Sequence, residues 1–387
     1  MKSGFPRKLF KYFGNFTNDD WGNWKWQVRN SITSLSDSLE LLEINYKEIN
    51  QESFQYRLPF KITPFLLNLI LGNNASDAII KQFIPHVLEQ SFFSKNSYDP
   101  LSEDAYSPVE GLVHRYPDRV LLILTTHCSS YCRFCTRNRL IGTSGFSKQR
   151  FKEQLSYIRK NSAIVDVIIS GGDPLLLDDS TLDYVLGELK KISQIQTIRI
   201  NTRIPVVLPM RITSGLIDIM KRHKPVWINI HINHPHEISA EFRDSIGKLA
   251  DNGFPLGSQS VLLSGVNDCP NIQKELVRQL LSIRVRPYYL YQCDIVNGTD
   301  HFRTPVSVGL NIMNSLIRHI SGLAIPSFVI DCPQGGGKMP ILPDYLTKID
   351  HSSYELRSMQ DTLVKYSDPQ VYCDHNSLSC AYCKREP

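Results

Sequence analysis

The chain has 387 residues, of which 42% are hydrophobic, 21% charged and 10% aromatic. That is a globular composition, long enough for one large core or two domains, and it excludes disordered, fibrous and low-complexity classes. Lys and Arg exceed Asp and Glu by 43 − 38 = 5, too little to point to nucleic acid or a membrane surface. No apolar run approaches the roughly 18 residues of a transmembrane helix. The basic, aromatic residues 1–16 lack the continuous apolar core of an export signal, so a cytoplasmic protein is expected. Nine cysteines, several of them clustered, favour metal binding over disulfides in such a chain.

Three regions follow one another. Residues 1–106 read mainly as helices, with an N-cap-like start at Asp20 before large apolar residues, and a buried helix over 62–72 with Pro64 in its first turn. A turn-rich linker spans 97–108. Residues 107–341 alternate apolar strands (120–125, 165–170, 197–201, 226–231, 256–262, 285–291 and 328–331) with amphipathic stretches such as 147–160 and 180–192. That alternation predicts an α/β fold, a parallel sheet with helical crossovers closing into a partial (β/α) barrel, with its chemistry at the C-terminal strand ends. Residues 342–387 read as a tail with a helix over 353–366, ending in a cysteine group.

Cys128, Cys132 and Cys135 follow the first of these strands with the spacing C-x3-C-x2-C. Three thiolates on one loop can hold three irons of a [4Fe–4S] cluster and leave the fourth iron open. A zinc knuckle is weaker, because a three-cysteine loop has no fourth ligand nearby; three unrelated core thiols are the other alternative. The triplet resembles the signature of radical S-adenosylmethionine (radical SAM) enzymes. There the methionine amino and carboxylate groups chelate the open iron, and the reduced cluster splits the sulfonium to a 5′-deoxyadenosyl radical. Gly171, Gly172 and Asp173 follow the next strand and resemble the glycine motif of that superfamily, whose glycines let backbone approach the methionine amino group. By themselves they could be an ordinary turn.

Gln334-Gly335-Gly336-Gly337-Lys338 follows the last strand. The Walker spacing is absent and Met339 stands where a Ser or Thr would be needed. A lysine beside a flexible loop in a barrel mouth can form a Schiff base with pyridoxal phosphate; the motif alone fits an exposed turn lysine better. Together with the cysteine triplet, the chain resembles the lysine 2,3-aminomutase family. The likeness runs through Asp20 to Arg29, Gly111 to Arg119, Ile230 to Pro235, Gly257 to Leu263, Arg286 to Asp294, His301 to Pro305 and Asp331 to Lys338.

The resemblance implies a radical isomerase that moves the α-amino group of L-lysine to C3, giving L-β-lysine. In it Lys338 is catalytic and holds pyridoxal phosphate until lysine displaces it. Arg115 and Arg119 match positions at the cofactor phosphate, as guanidinium chemistry suits. Arg137 matches the residue for the substrate carboxylate, and Asp294 and Asp331 the pair for the distal ammonium. Such a pair suits a dibasic substrate and disfavours glutamate. His231, Gln259 and Tyr291 match positions near S-adenosylmethionine or the pyridoxal ring. The resemblance also implies a structural zinc, on Cys269 with Cys373, Cys380 and Cys383, joining neighbouring subunits of a dimer or tetramer; His375 is an alternative to Cys373. Cys293 and Cys332 read as packed thiols. A flavodoxin or ferredoxin would donate the electron.

This chain departs from the family's pattern at Phe134, where the lysine enzymes carry His, and at Asn138, Leu140, Ile141 and Gln334, the last replacing a glycine. These changes leave arginine 2,3-aminomutase, or another amino-acid 2,3-aminomutase, as the alternative. A shorter aminomutase serving elongation-factor modification fits the long tail poorly. A non-catalytic iron–sulfur and zinc scaffold would conflict with an intact triplet, lysine and Asp pair.

Overall fold

The computed structural model of the chain describes residues 7–43, 58–72, 77–90, 98–348, 353–358 and 360–367. The chain divides into two compact units, Met1–Ile341 and Leu342–Pro387.

In the first unit nine strands form one sheet in chain order: β1 (Leu112–Tyr116), β2 (Arg119–Thr125), β3 (Asp166–Gly171), β4 (Thr197–Thr202), β5 (Val226–His231), β6 (Leu256–Leu262), β7 (Arg286–Gln292), β8 (Ser327–Cys332) and β9 (Gly337–Pro340). Strands β2 to β8 are parallel, while β1 and β9 pair antiparallel at the two edges. The edge strands escape sequence reading for a physical reason. β1 mixes apolar and basic residues and β9 carries Gly337 and Pro340, so neither has the apolar run of a strand buried on both faces.

Each parallel pair is joined by a crossover helix. Four of these helices start at a side-chain cap, on Ser147, Asp178, Thr213 and Ser239, each typically worth about 1 kcal/mol. The helix Lys148–Lys160 buries Phe151, Leu155 and Ile158, and Asp179–Lys190 buries Leu182, Val185, Leu186 and Leu189, at the i, i+3, i+4, i+7 spacing of one helix face. They join one core with Val167, Ile169, Ile198 and Ile200 of the strands. Each fully buried aliphatic side chain there contributes about 1.5–3 kcal/mol. Strand periodicity turns the intervening residues to the other face, and that row includes polar pairs. Arg199 pairs with Asp166 at 2.6 Å, and Asn229 donates to Asn201 at 3.1 Å.

The N-terminal helices belong to the same core: Leu66, Leu67, Ile70 and Phe83 cluster with Leu122 and Val207. Helix Asn18–Gly22 starts from Thr17, in a capping box with Asp20. Asp20 is thus the third helical residue, not the cap expected from sequence. Pro64 opens the helix Pro64–Gly72.

In the second unit the expected helix over 353–366 is absent. Strands β10 (Leu346–Lys348), β11 (Ser353–Arg357) and β12 (Leu363–Ser367) form an antiparallel sheet. The segment alternates Tyr354, Leu356, Val364 and Tyr366 with polar residues, a two-residue period that suits a strand. Asp361 takes a left-handed backbone (φ 60°) in the connection between β11 and β12, which would break a helix. Cys373, His375, Cys380 and Cys383 lie outside the described residues.

Candidate active site

The cysteine loop leaves the C-terminal end of β2 and is held on several sides. The Lys61 ammonium donates to the Cys128 carbonyl at 3.3 Å, and the Arg133 N–H to the Gln82 carbonyl at 2.9 Å. Arg133, fully buried, also forms an ion pair with Glu89 and donates to the Leu58 and Pro59 carbonyls. The N-terminal helical region is therefore the loop's scaffold. Burial raises all three thiols, Cys135 to about 12; neighbouring thiols add to the rise at Cys128 and Cys135, and Glu237 and Asp173 to that at Cys132. Each has a cation opposing that rise: Lys61 at Cys128, Arg203 at Cys132 and Arg137 at Cys135. Three half-buried thiols, each with a cation beside it, suit an anionic cluster. Among the described residues, no three His, Cys, Asp or Glu side chains converge as ligands of a single ion.

The glycines at the end of β3 have an immediate structural task. A Cβ on Gly171 (φ +135°) would lie 2.1 Å from the Thr125 carbonyl oxygen, and one on Gly172 would lie 2.3 Å from that of His127. The Gly172 and Asp173 N–H groups donate to those same two oxygens, at 2.6 and 2.9 Å. Bare backbone here locks β3 onto the first residues of the cysteine loop. Asp173 is buried, which raises its carboxyl to about 6. It accepts from the Thr202 hydroxyl and the Arg203 and Leu175 N–H groups. Its oxygens thus organise the loop after β4.

The glycine–lysine motif forms the turn into β9. Lys338 stands directly across from Asp331 in the β8–β9 pair, its ammonium 3.1 Å from both carboxylate oxygens and 5.5 Å from the Tyr291 ring centre. Two tyrosines border this turn. The Tyr116 hydroxyl accepts the Lys338 N–H at 2.9 Å, and a Cβ on Gly335 would lie 2.3 Å from the Tyr106 ring. The Arg115 guanidinium lies over Tyr106 at 5.3 Å and that of Arg119 over Tyr116 at 4.0 Å. Both arginines are so brought to the lysine turn through aromatic spacers. Arg115 also donates to the Leu101 carbonyl, and its buried Nε has no partner. An orphaned guanidinium donor beside a half-exposed lysine fits a group with a phosphate and an aldehyde.

Asp294 lies two residues beyond β7 and accepts from the Thr136 hydroxyl at 2.8 Å. This links the residue after Cys135 to the lysine side of the barrel. Burial raises Asp294 to about 6; Asp331 pushes it in the same direction, while Thr136 and Lys338 oppose. Arg137 gives its Nε and Nη2 edge to Glu103, at 2.7–3.0 Å, and its Nη1 reaches the Ser170 hydroxyl at 3.4 Å. Burial works to raise Glu103, yet Arg137, Arg139 and Arg115 hold it below the usual carboxylate range. Cys135 and Asp294 both act on the Arg137 charge. Cysteine loop, arginine and acid pair therefore share one end of the barrel.

His231 ends β5 in register with Gln259 of β6. Its ring stacks on Phe134 at 5.4 Å, its buried Nε2 has no partner, and burial keeps it neutral. Cys293 is buried and Cys332 half-buried, both as free thiols. Cys269 precedes the helix Pro270–Ser282 as a free, half-buried thiol. Sequence reasoning missed Glu103, Thr136, Tyr106, Tyr116 and Arg203. Arg203 directly follows β4, so its place at a strand end could have flagged it. Glu103 sits in the turn-rich linker and carries no such signal.

A parallel barrel with a three-cysteine loop at the end of its first parallel strand defines a radical SAM protein. The family profile described as Radical SAM superfamily matches residues 122–273, and that class implies an iron–sulfur cluster and S-adenosylmethionine. The profile described as Lysine-2,3-aminomutase matches residues 313–384. An L-lysine 2,3-aminomutase from Clostridium subterminale is 45% identical over 379 residues, covering 97% of this chain and 91% of that protein. One from Methanococcus maripaludis is 44% identical, covering 95% of this chain and 86% of its own length. A glutamate 2,3-aminomutase from Clostridioides difficile is 39% identical, covering 92% and 84%. The chain belongs to the lysine 2,3-aminomutase family and is an isomerase of that type. Among the described residues, no helix is long and apolar enough to cross a membrane.

Proposed function

We propose that the chain converts L-lysine to L-β-lysine. The observation that carries this reading is the convergence of Arg137 with the Asp294, Asp331 and Lys338 group at one barrel end. Such a site offers a cation to the substrate carboxylate and two acids to a distal ammonium. When bound, the cluster with S-adenosylmethionine supplies a hydrogen-abstracting radical, and pyridoxal phosphate activates the migrating amino group. Arg115 and Arg119 hold the phosphate and Lys338 the pyridoxal carbon. Asp331, which pairs with Lys338 here, is free to take the substrate ammonium once Lys338 is displaced. Arg137, held along one edge by Glu103, turns its Nη1 side to the carboxylate. His231, Gln259 and Tyr291 line the space between the two ends, and Gly171, Gly172 and Asp173 hold the cysteine loop in shape.

The same reading assigns residues 1–106 to the scaffold, 107–341 to the barrel and 342–387 to a tail. That tail completes a zinc site with Cys269 through Cys373, Cys380 and Cys383, in a homo-oligomer that takes its electron from a flavodoxin or ferredoxin.

The test is an anaerobic assay of the reconstituted chain with pyridoxal phosphate, S-adenosylmethionine and a reductant. Lysine, arginine and glutamate are offered separately, and α and β isomers are resolved by mass spectrometry. β-Lysine as the main product is expected. β-Arginine or β-glutamate instead would overturn the substrate, and no β-amino acid with an intact cluster would overturn the reaction.

A further inference from the structure

Arg203 is a buried cation built against the cysteine loop. Its Nη1 donates to Cys132 Sγ at 2.7 Å, and its Nη2 to Glu237 and Gln82, each at 2.6 Å. The guanidinium lies over two aromatic rings, Phe83 at 4.4 Å and Phe134 at 5.3 Å. Glu237 is fully buried and held by the Asn233 and His234 N–H groups at 2.7 Å. Gln82 is fixed by the Asn233 side chain at 2.9 Å. Glu237 and Gln82 share the Nη2 donor and balance the buried charge, while the buried Nε has no partner. The donor aimed at sulfur is additional. The other two cations at the triplet are placed differently: Lys61 donates to a backbone carbonyl and Arg137 gives its bidentate edge to Glu103.

We propose that Arg203, clamped by Glu237, raises the reduction potential of the iron–sulfur cluster through its hydrogen bond to the Cys132 sulfur. The inference rests on the cluster occupying the triplet. Adding an electron makes the cluster and its thiolates more negative. A fixed cationic donor therefore stabilises the reduced form more than the oxidised one. The dry, aromatic surroundings strengthen the effect. Glu237 acts in the opposite sense, as a buried anion beside the same cation, and limits the rise. Phe134 covers the guanidinium with an uncharged ring, and Arg203 is the cation that acts on Cys132.

The experiment is a redox titration of the reconstituted chain, read by electron paramagnetic resonance of the reduced cluster, after iron and sulfide are counted. Arg203→Gln should lower the reduced-to-oxidised ratio at a fixed potential about tenfold, equivalent to about 59 mV for a one-electron couple. Arg203→Lys should fall between it and the parent, and Glu237→Gln should shift the ratio the other way. Opposite shifts support the proposal. Unchanged titrations in variants with full iron, or Arg203 and Glu237 variants moving in the same direction, overturn it. If Arg203→Gln fails to hold iron, the directions of Arg203→Lys and Glu237→Gln decide. A parent chain that binds no four-iron cluster would sink the underlying assignment, which the iron count reveals separately.

Discussion

The two sides of the barrel mouth are built to different standards. On the cysteine side, β3 touches the loop so closely that two positions exclude any Cβ, and each of the three thiols has a cation beside it. On the lysine side, Lys338 is 29% exposed and held mainly by an ion pair with Asp331. Around it, Arg115 and Arg119 lie over the tyrosine rings that border the turn. A cluster needs ligands fixed before it arrives, whereas a lysine that must release one partner for another needs room to move. Rigidity is therefore placed where the geometry is constant and slack where the partner changes.

Filling the tight side should have the largest effect. Gly172→Val would drive a branched side chain into the Thr126–His127 backbone, with no flexible neighbour to give way. The expected outcome is a chain that is insoluble or retains no iron, checked by expression and iron content. A variant with normal iron would mean the β3 contact is not as rigid as described.

Chemistry on each side should fail independently. Cys132→Ala should lose the iron–sulfur spectrum and all turnover while still binding pyridoxal phosphate. Lys338→Ala should keep the iron and lose both turnover and the pyridoxal absorbance. Full activity in either variant would contradict the site.

A graded effect is expected from acid pH. Burial raises Asp294 to about 6, so it is ionised above that pH and neutral below. Attraction for a substrate ammonium is thus present above pH 6 and lost as the pH falls through it. Below that point kcat/KM for lysine should decline by about tenfold per pH unit. Asp294→Asn should start low and lose this limb of the profile. A parent profile flat down to pH 5 would remove Asp294 from ammonium binding.

The smallest effect lies at Gln334, in the left-handed region at φ 60° just before the three glycines. A side chain there costs about 1 kcal/mol, part of which glycine gives back through unfolded-chain entropy. Gln334→Gly should raise stability by less than about 1 kcal/mol in denaturant unfolding, leaving the iron content unchanged.

Strand–helix alternation was legible because buried parallel strands are continuous apolar runs and their crossovers carry a helical period. The seven central strands match expectation to within about a residue. The edges were not legible, since β1 and β9 are stabilised by pairing rather than by a run of their own. The tail helix was misjudged for a related reason: a short segment of mixed residues over 353–366 reads as either element until its partner strands are known.

By itself the sequence determined the order of elements, the cysteine loop and the lysine turn, because each is a local pattern of spacing and burial. Only the tertiary structure decided what those residues touch. Arg137 meets Glu103 from 34 positions away, Cys132 meets Arg203 from 71, and Lys338 meets Tyr116 from 222. Periodicity records that a side chain is buried or turned inward, but not which charge faces it. That choice is made when the barrel brings distant strand ends together, and the electrostatics of the site follow from it.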